Sequence, residues 1–232
     1  MDAEPESTIP RPPQPVTVVV AHARDDRRDQ LVRWLESDGR FSVIGRPADA
    51  GEAVTQITAT VPDIAFIDVD LAAGDSTEEA RIADGIAALA VVTRRRPSVR
   101  LVAVTDGDDD RAYAALIAGA IGCYQWDDPV AGAAELAAGV ARGEGSLTPG
   151  WAGRIIDEIR WLGREPGPVP APELSATELE VLRRTSKGVR SPAIADLHGV
   201  TTHLVNVHAA IAITKVWRHH DDVRRLEHLG AG

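Results

Sequence analysis

The sequence predicts an α/β domain, a doubly wound parallel sheet made of five β–α units, followed by an all-α domain of four helices. Three observations predict it. Five short apolar runs alternate with segments of helical period between residues 16 and 142. A proline-rich stretch, "REPGPVPAPE" at 164–173, then interrupts all regular structure. Beyond it the pattern is helical only, with a tight turn at Gly199. The expected divisions are an acidic, proline-rich disordered tail at 1–15, an α/β domain at 16–145, a helix and linker at 146–173 and a helical domain at 174–232.

The elements follow in order. "VTVVV" (16–20) is a buried strand, and Leu31, Trp34 and Leu35 give residues 26–37 a helical face. "FSVIG" (41–45) is the second strand, with a helix over 49–60. "DIAFID" (63–68) is the third, with a helix over 82–95. "VRLVAVT" (99–105) and "GCYQW" (122–126) complete the set, with helices over about 109–119 and 129–142. Apolar strands with little alternation are buried on both faces, which requires helices above and below the sheet. Right-handed crossovers then make the sheet doubly wound. Trp151, Ile155, Ile159 and Leu162 mark a further amphipathic helix over 151–163.

Charge separates the two parts. The 232 residues carry a net charge of −10. From Ala171 onward eight basic residues meet seven acidic ones, and residues 1–170 hold the remaining 17 basic and 28 acidic residues. The excess of acid lies wholly in the first part, and six of the seven histidines lie in the second. Such asymmetry points to different partners for the two parts. The single cysteine, Cys123, excludes an intrachain disulfide and a thiolate metal cluster. The histidines have no ligand spacing, so no metal or cofactor is expected. No apolar run is long enough to span a membrane, and the N-terminus lacks an apolar signal core, so a cytoplasmic protein is expected.

In open α/β sheets, sites form at the carboxyl ends of strands. Those ends supply His22 and Ala23, Asp68, Thr105 and Trp126. "PDIAFIDVDL", Asp84-Gly85, "RLVAVT" and "AGAIGCYQWDD" resemble the receiver domain of two-component response regulators. The resemblance implies a flavodoxin-like (βα)5 fold and a phosphoacceptor at Asp68, with Thr105 binding the new phosphate. It also implies an acidic Mg²⁺-binding pair, which here falls on His22 and Ala23, and a lysine, which falls on Trp126. Those two losses remove the cation-holding groups that a phosphoryl transfer needs. The loop after Asp68 is longer than in the family and lacks its proline. Asp68 is therefore expected as a structural carboxylate, paired with loop N–H groups or with His22, and not as a used acceptor. Thr105 is expected to cap or bond its loop. Asp25 and Asp26 read as acids complementing a helix N-terminus. Trp126 reads as a partly buried aromatic at the sheet edge, or as the lining of a small apolar pocket.

In the second domain Ser175 and Glu178 form a capping box. Gly188 ends that helix, Ser191 caps the next with Pro192 at its first position, and Thr201 opens another after Gly199. Leu174-Ser175, Glu178, Glu180-Val181-Leu182, Gly188, Ile194-Ala195, Gly199-Val200, Val205, His208, Ile211 and Lys215-Val216 resemble the C-terminal domain of NarL/LuxR-type regulators. The resemblance implies a helix-turn-helix whose second helix enters the DNA major groove. The candidate DNA contacts are Arg190, Thr201, Thr202, His203, Val205, Asn206 and Lys215. Where the family carries Thr-Val-Lys, this chain has Leu204-Val205-Asn206. Asn206 can read an adenine edge, but a phosphate-binding or guanine-binding lysine is missing.

These readings make the chain a DNA-binding transcription regulator that works without phosphorylation. Its partners would be promoter DNA, a second copy of itself and a small-molecule or protein effector at the receiver-like domain. The alternatives are a protein-interaction module with decayed DNA binding, and a conventional regulator phosphorylated on Asp68. No nucleophile–base pair, phosphate loop or metal motif supports an enzyme.

Overall fold

The computed structural model describes residues 14–73, 83–107, 109–126, 132–165 and 167–230. Most of the tail expected at 1–15 and the starts of two expected helices, at 82 and 129, fall outside them. Five strands, β1 (Val16–Ala21), β2 (Phe41–Gly45), β3 (Ile64–Asp68), β4 (Arg100–Thr105) and β5 (Gly122–Gln125), form one parallel sheet in the order β2-β1-β3-β4-β5. The strand order reverses between β1 and β3, so the crevice at their carboxyl ends is the natural place for a site. Helices α1 (Asp25–Glu36), α2 (Ala50–Thr60), α3 (Gly85–Arg95), α4 (Asp109–Ile117) and α5 (Ala133–Ala141) alternate with the strands.

Each strand sends alternate side chains to opposite faces. Val18, Val20, Phe66 and Val104 pack with Leu31 and Leu35 of α1 and Ala137 of α5. Val19, Ala21, Ala65 and Ile67 pack with Val54 of α2, Leu89 of α3 and Leu116 of α4.

Beyond the sheet come α6 (Pro149–Arg164), α7 (Ala176–Ser186), α8 (Ser191–His198) and α9 (Thr202–Gly230). Three helices, not four, therefore follow Leu174 among the described residues. The cause is legible: no glycine or proline occurs from Val200 to Leu229, so nothing ends the last helix before Gly230. Asp221 and Arg225, one turn apart at 2.7 Å, support its distal half.

The core on the second face does not stop at the receiver-like domain. It continues from Tyr113 and Leu116 of α4 through Trp151 and Ile155 of α6 to Leu182 of α7 and Ile213 and Val216 of α9. A small separate cluster, Val181, Ile194, Ala195, Val205 and Ala209, holds α7, α8 and α9 together. The segment between α6 and α7 is tied down as well, since the His219 Nδ1 lies 3.1 Å from the carbonyl oxygen of Pro170.

Candidate functional site

The crevice between β1 and β3 is occupied from within. His22 follows β1 and is 3% exposed, Asp68 ends β3 at 8%, and Thr105 ends β4 at 2%. The His22 Nδ1 lies 3.3 Å from an Asp68 carboxylate oxygen. The other carboxylate oxygen accepts the Asp70 N–H at 3.0 Å. Nδ1 also accepts the Arg24 N–H at 3.1 Å. A ring nitrogen that accepts this bond carries no proton of its own, so Nδ1 is not a donor to Asp68. Burial supplies the bias. It pulls His22 below its ordinary pKa against the opposing charge of Asp68, and it raises Asp68 against the Asp70 N–H and His22. Both shifts run toward the uncharged forms.

The remaining pocket residues make contacts of their own. Thr105 Oγ1 accepts the Gly107 N–H at 3.2 Å, a bond within its own loop. Ala23 is exposed and has no ligating atom. Trp126 presents its ring to His22 at 5.7 Å, packs on Tyr124 at 5.4 Å and Trp34 at 6.0 Å, and carries the Arg27 guanidinium 5.0 Å above it. The indole fills the space next to His22.

Arginines take up the acids around the rim. Asp25 pairs with Arg28, Asp26 with Arg24, Asp106 with Arg27, and Asp70 with Arg111 at 2.6 Å. Among the described residues no group of three or more His, Cys, Asp or Glu is placed to hold a metal ion. The pairing of Asp25 with Arg28 is visible in the i,i+3 spacing of the sequence, whereas Arg111 comes from α4. Gly85 seals the crevice floor: a Cβ there would sit 1.8 Å from the Asp68 carbonyl oxygen, so only glycine lets α3 start so close to β3.

The second candidate surface lies on α8 and α9. The capping box at Ser175 and Glu178 is present. α8 begins one residue earlier than the sequence suggests, with Arg190 at its cap and no side-chain capping bond. Gly199 ends it with φ +63°. Thr201 Oγ1 accepts the Leu204 N–H at 3.2 Å and so caps α9. Arg190 and Thr201 are exposed and Thr202 is half-buried.

Two candidates lie elsewhere. Val205 is 3% exposed and belongs to the α7–α8–α9 core, because a run of three helical residues cannot share one face. Lys215 reaches back to α7, where its ammonium lies 2.8 Å from a Glu178 carboxylate oxygen and 2.9 Å from the Glu173 carbonyl oxygen. It locks the capping box. Burial raises Glu178, but bonds from Lys215 and Ser175 outweigh it and hold the carboxyl below its usual range.

Asn206 and His203 come together on one face of α9, and both meet a residue that sequence reasoning missed. Glu144, in the turn after α5, is 5% exposed. Its carboxylate accepts Asn206 Nδ2 at 2.8 Å and Arg142 Nε at 2.7 Å, and lies 2.9 Å from His203 Nδ1. Burial raises this carboxyl, yet the three bonds prevail and hold it below its usual range, so it is the ionised acceptor and His203 the donor. The Gly145 N–H also donates to the Asn206 carbonyl at 2.9 Å. A Cβ on Gly145 would lie 2.6 Å from the Ala210 nitrogen, so this contact is backbone against backbone. The start of α9 is thus covered by the receiver-like domain.

The distal half of α9 is held separately. The carboxylate of Glu158, on α6, accepts the Tyr113 hydroxyl of α4 and lies 2.6 Å from His220 Nε2 of α9. Burial raises Glu158, and the bonds from His220 and Tyr113 outweigh it and lower it.

No family model matches the sequence. Among known proteins, the probable transcriptional regulatory protein NarL of Mycobacterium tuberculosis (strain ATCC 25618 / H37Rv) is 32% identical over 196 residues, spanning 84% of this chain and 85% of its own. The chain belongs to the NarL/LuxR-type response-regulator family. The transcriptional regulatory protein LiaR of Bacillus subtilis (strain 168) is 25% identical over 183 residues, covering 76% of this response regulator and 82% of LiaR. The solved receiver domain of the Mycobacterium tuberculosis NarL matches 56% of the chain and 99% of its own length, at 26% identity and a TM-score of 0.50. A structure of RcsB dimers bound to DNA matches 90% of this response regulator and 100% of the RcsB chain; with 16% identity and a TM-score of 0.53 it bears on the fold alone. No helix among the described residues is long and apolar enough to cross a membrane.

Proposed function

We propose that this response regulator is a cytoplasmic transcription regulator that binds promoter DNA as a homodimer, and that it works without phosphorylation of Asp68. One observation carries the DNA reading. Asn206 and His203, two groups suited to base edges and phosphates, stand together near the N-terminus of α9 and donate to an internal carboxylate. Glu144 occupies the place of a DNA acceptor, and DNA must displace it. Arg190, Thr201 and Thr202 flank these two residues and supply backbone contacts. The His22–Asp68 pair supports independence from phosphorylation, because it sits where the family holds Mg²⁺ and the phosphoryl group. The receiver-like domain then serves dimerisation or effector sensing.

The test is binding of the full chain to DNA from its own promoter, followed by fluorescence anisotropy at several salt concentrations. Salt-sensitive binding is expected. Asn206→Ala should weaken it, and Arg190→Ala should reduce the salt slope by about one. Absence of salt-sensitive binding overturns the proposal. The same Asn206–Glu144 contact favours a second reading, a protein-interaction module with a decayed DNA surface. Regulation that survives both substitutions would select that reading.

A further inference from the structure

A cleft of about 860 Å³ lies between the receiver-like domain and the start of α8 and α9. Small-molecule sites have this size and favour boundaries between domains. Leu136 and Val140 of α5 form part of one wall, and Val189, Arg190 and Thr202 form part of the other. The chemistry of the two walls differs. Leu136 is half-buried and Val140 buried, so α5 supplies an apolar floor beside Glu135, whose carboxylate lies 3.4 Å from the Arg40 guanidinium. Glu144 also borders the cleft, but its charge is already met by Arg142, His203 and Asn206. Arg190 is exposed, and its guanidinium makes no hydrogen bond or ion pair among the described residues. A guanidinium without an acid partner, facing an apolar floor, matches an anionic group carried on an apolar body.

We propose that this cleft binds a small organic anion, a carboxylate or sulfonate on an aromatic or aliphatic body. The anion pairs with Arg190 and the body lies against Leu136, Val140 and Val189. Such a ligand touches both walls only while Glu144 holds α9, so it favours the covered state. By linkage it weakens DNA binding, and DNA weakens its binding by the same factor. This second statement rests on the DNA-binding reading above, and the first does not.

The probe is 8-anilinonaphthalene-1-sulfonate, an aromatic sulfonate whose fluorescence reports apolar binding. Titration of the full chain should give one saturable site. Arg190→Gln, which removes a charge-assisted contact at an exposed position, should weaken that site about tenfold. Leu136→Trp, which fills the floor, should abolish it, with circular dichroism confirming an intact fold. Trp34→Ala, at an aromatic cluster that does not line the cleft, should leave it unchanged. No saturable site, or a site indifferent to both cleft variants, overturns the proposal. Saturating dye should also raise the apparent Kd for promoter DNA about tenfold in the wild-type chain. An unchanged Kd overturns the linkage. If the chain binds no DNA at all, the proposed function fails while the dye titration still decides the site.

Discussion

His22 and Asp68 share one buried contact at 3.3 Å, in the crevice where strand order reverses. An imidazole in this place changes what the carboxylate can do. The Arg24 amide and His22 fix one side of the pair, the Asp70 amide fixes the other, and the nearby acids are matched to arginines. Acetyl phosphate with Mg²⁺ is therefore expected to leave the intact mass of the chain unchanged. Mass spectrometry locating a phosphoryl group on Asp68 would overturn the phosphorylation-independent reading.

The same pair sets a pH dependence. The folded pKa of His22 is lowered from 6.5, chiefly by burial. A depressed folded value means that the unfolded state takes up the proton first, so His22 contributes stability above about pH 6.5 that is lost as pH falls through the depressed value. Asp68 is shifted the other way, raised by burial, so its contribution is present at low pH and is lost as pH rises through its raised value. The His22 ring signals in NMR should titrate below 6.5, and lower still in Asp68→Asn, which removes the carboxylate that opposes the shift. A midpoint that rises in Asp68→Asn contradicts the pair.

Glu144→Ala should release Asn206 and His203 and tighten promoter binding on the order of tenfold, the value of a charge-assisted bond that no longer competes with DNA. Fluorescence anisotropy against the wild-type chain measures this. Unchanged affinity would mean that the contact does not restrain α9.

Gly85→Ala should destabilise the fold by about 1–3 kcal/mol, because the added Cβ meets a backbone carbonyl that cannot turn away. Urea denaturation gives the number, and a neutral substitution would show that α3 shifts freely from β3.

One apolar core runs from α4 through α6 to α9. Calorimetry should therefore give a single unfolding transition, coincident by tryptophan fluorescence and circular dichroism. Two resolved transitions would show that the halves fold apart.

The sheet was legible because each strand is a short apolar run bounded by breakers, and the pocket was legible because strand ends fix where His22, Asp68, Thr105 and Trp126 converge. What escaped has physical reasons. Glu144 meets Asn206 across 62 residues, a separation that no local pattern encodes. Val205 sits between Leu204 and Asn206 in the chain, yet helical geometry turns it into the core. Lys215 looks like a free cation until the fold brings Glu178 to it. The merging of the last two helices was present in the sequence as thirty residues' worth of missing punctuation, since Val200 to Leu229 holds neither glycine nor proline.

The unbroken α9 has a mechanical consequence. With 29 residues it is a rod of ~43 Å at about 1.5 Å per residue. Asn206 stands about 21 Å along it from His220, where Glu158 and Tyr113 form a fulcrum. A tilt of about 15° at that fulcrum would swing the other end by roughly 5 Å, enough to part Asn206 from Glu144. A lever of this kind turns a small rearrangement beside α4 into a large displacement at the groove-reading end, with no hinge inside the helix to absorb it.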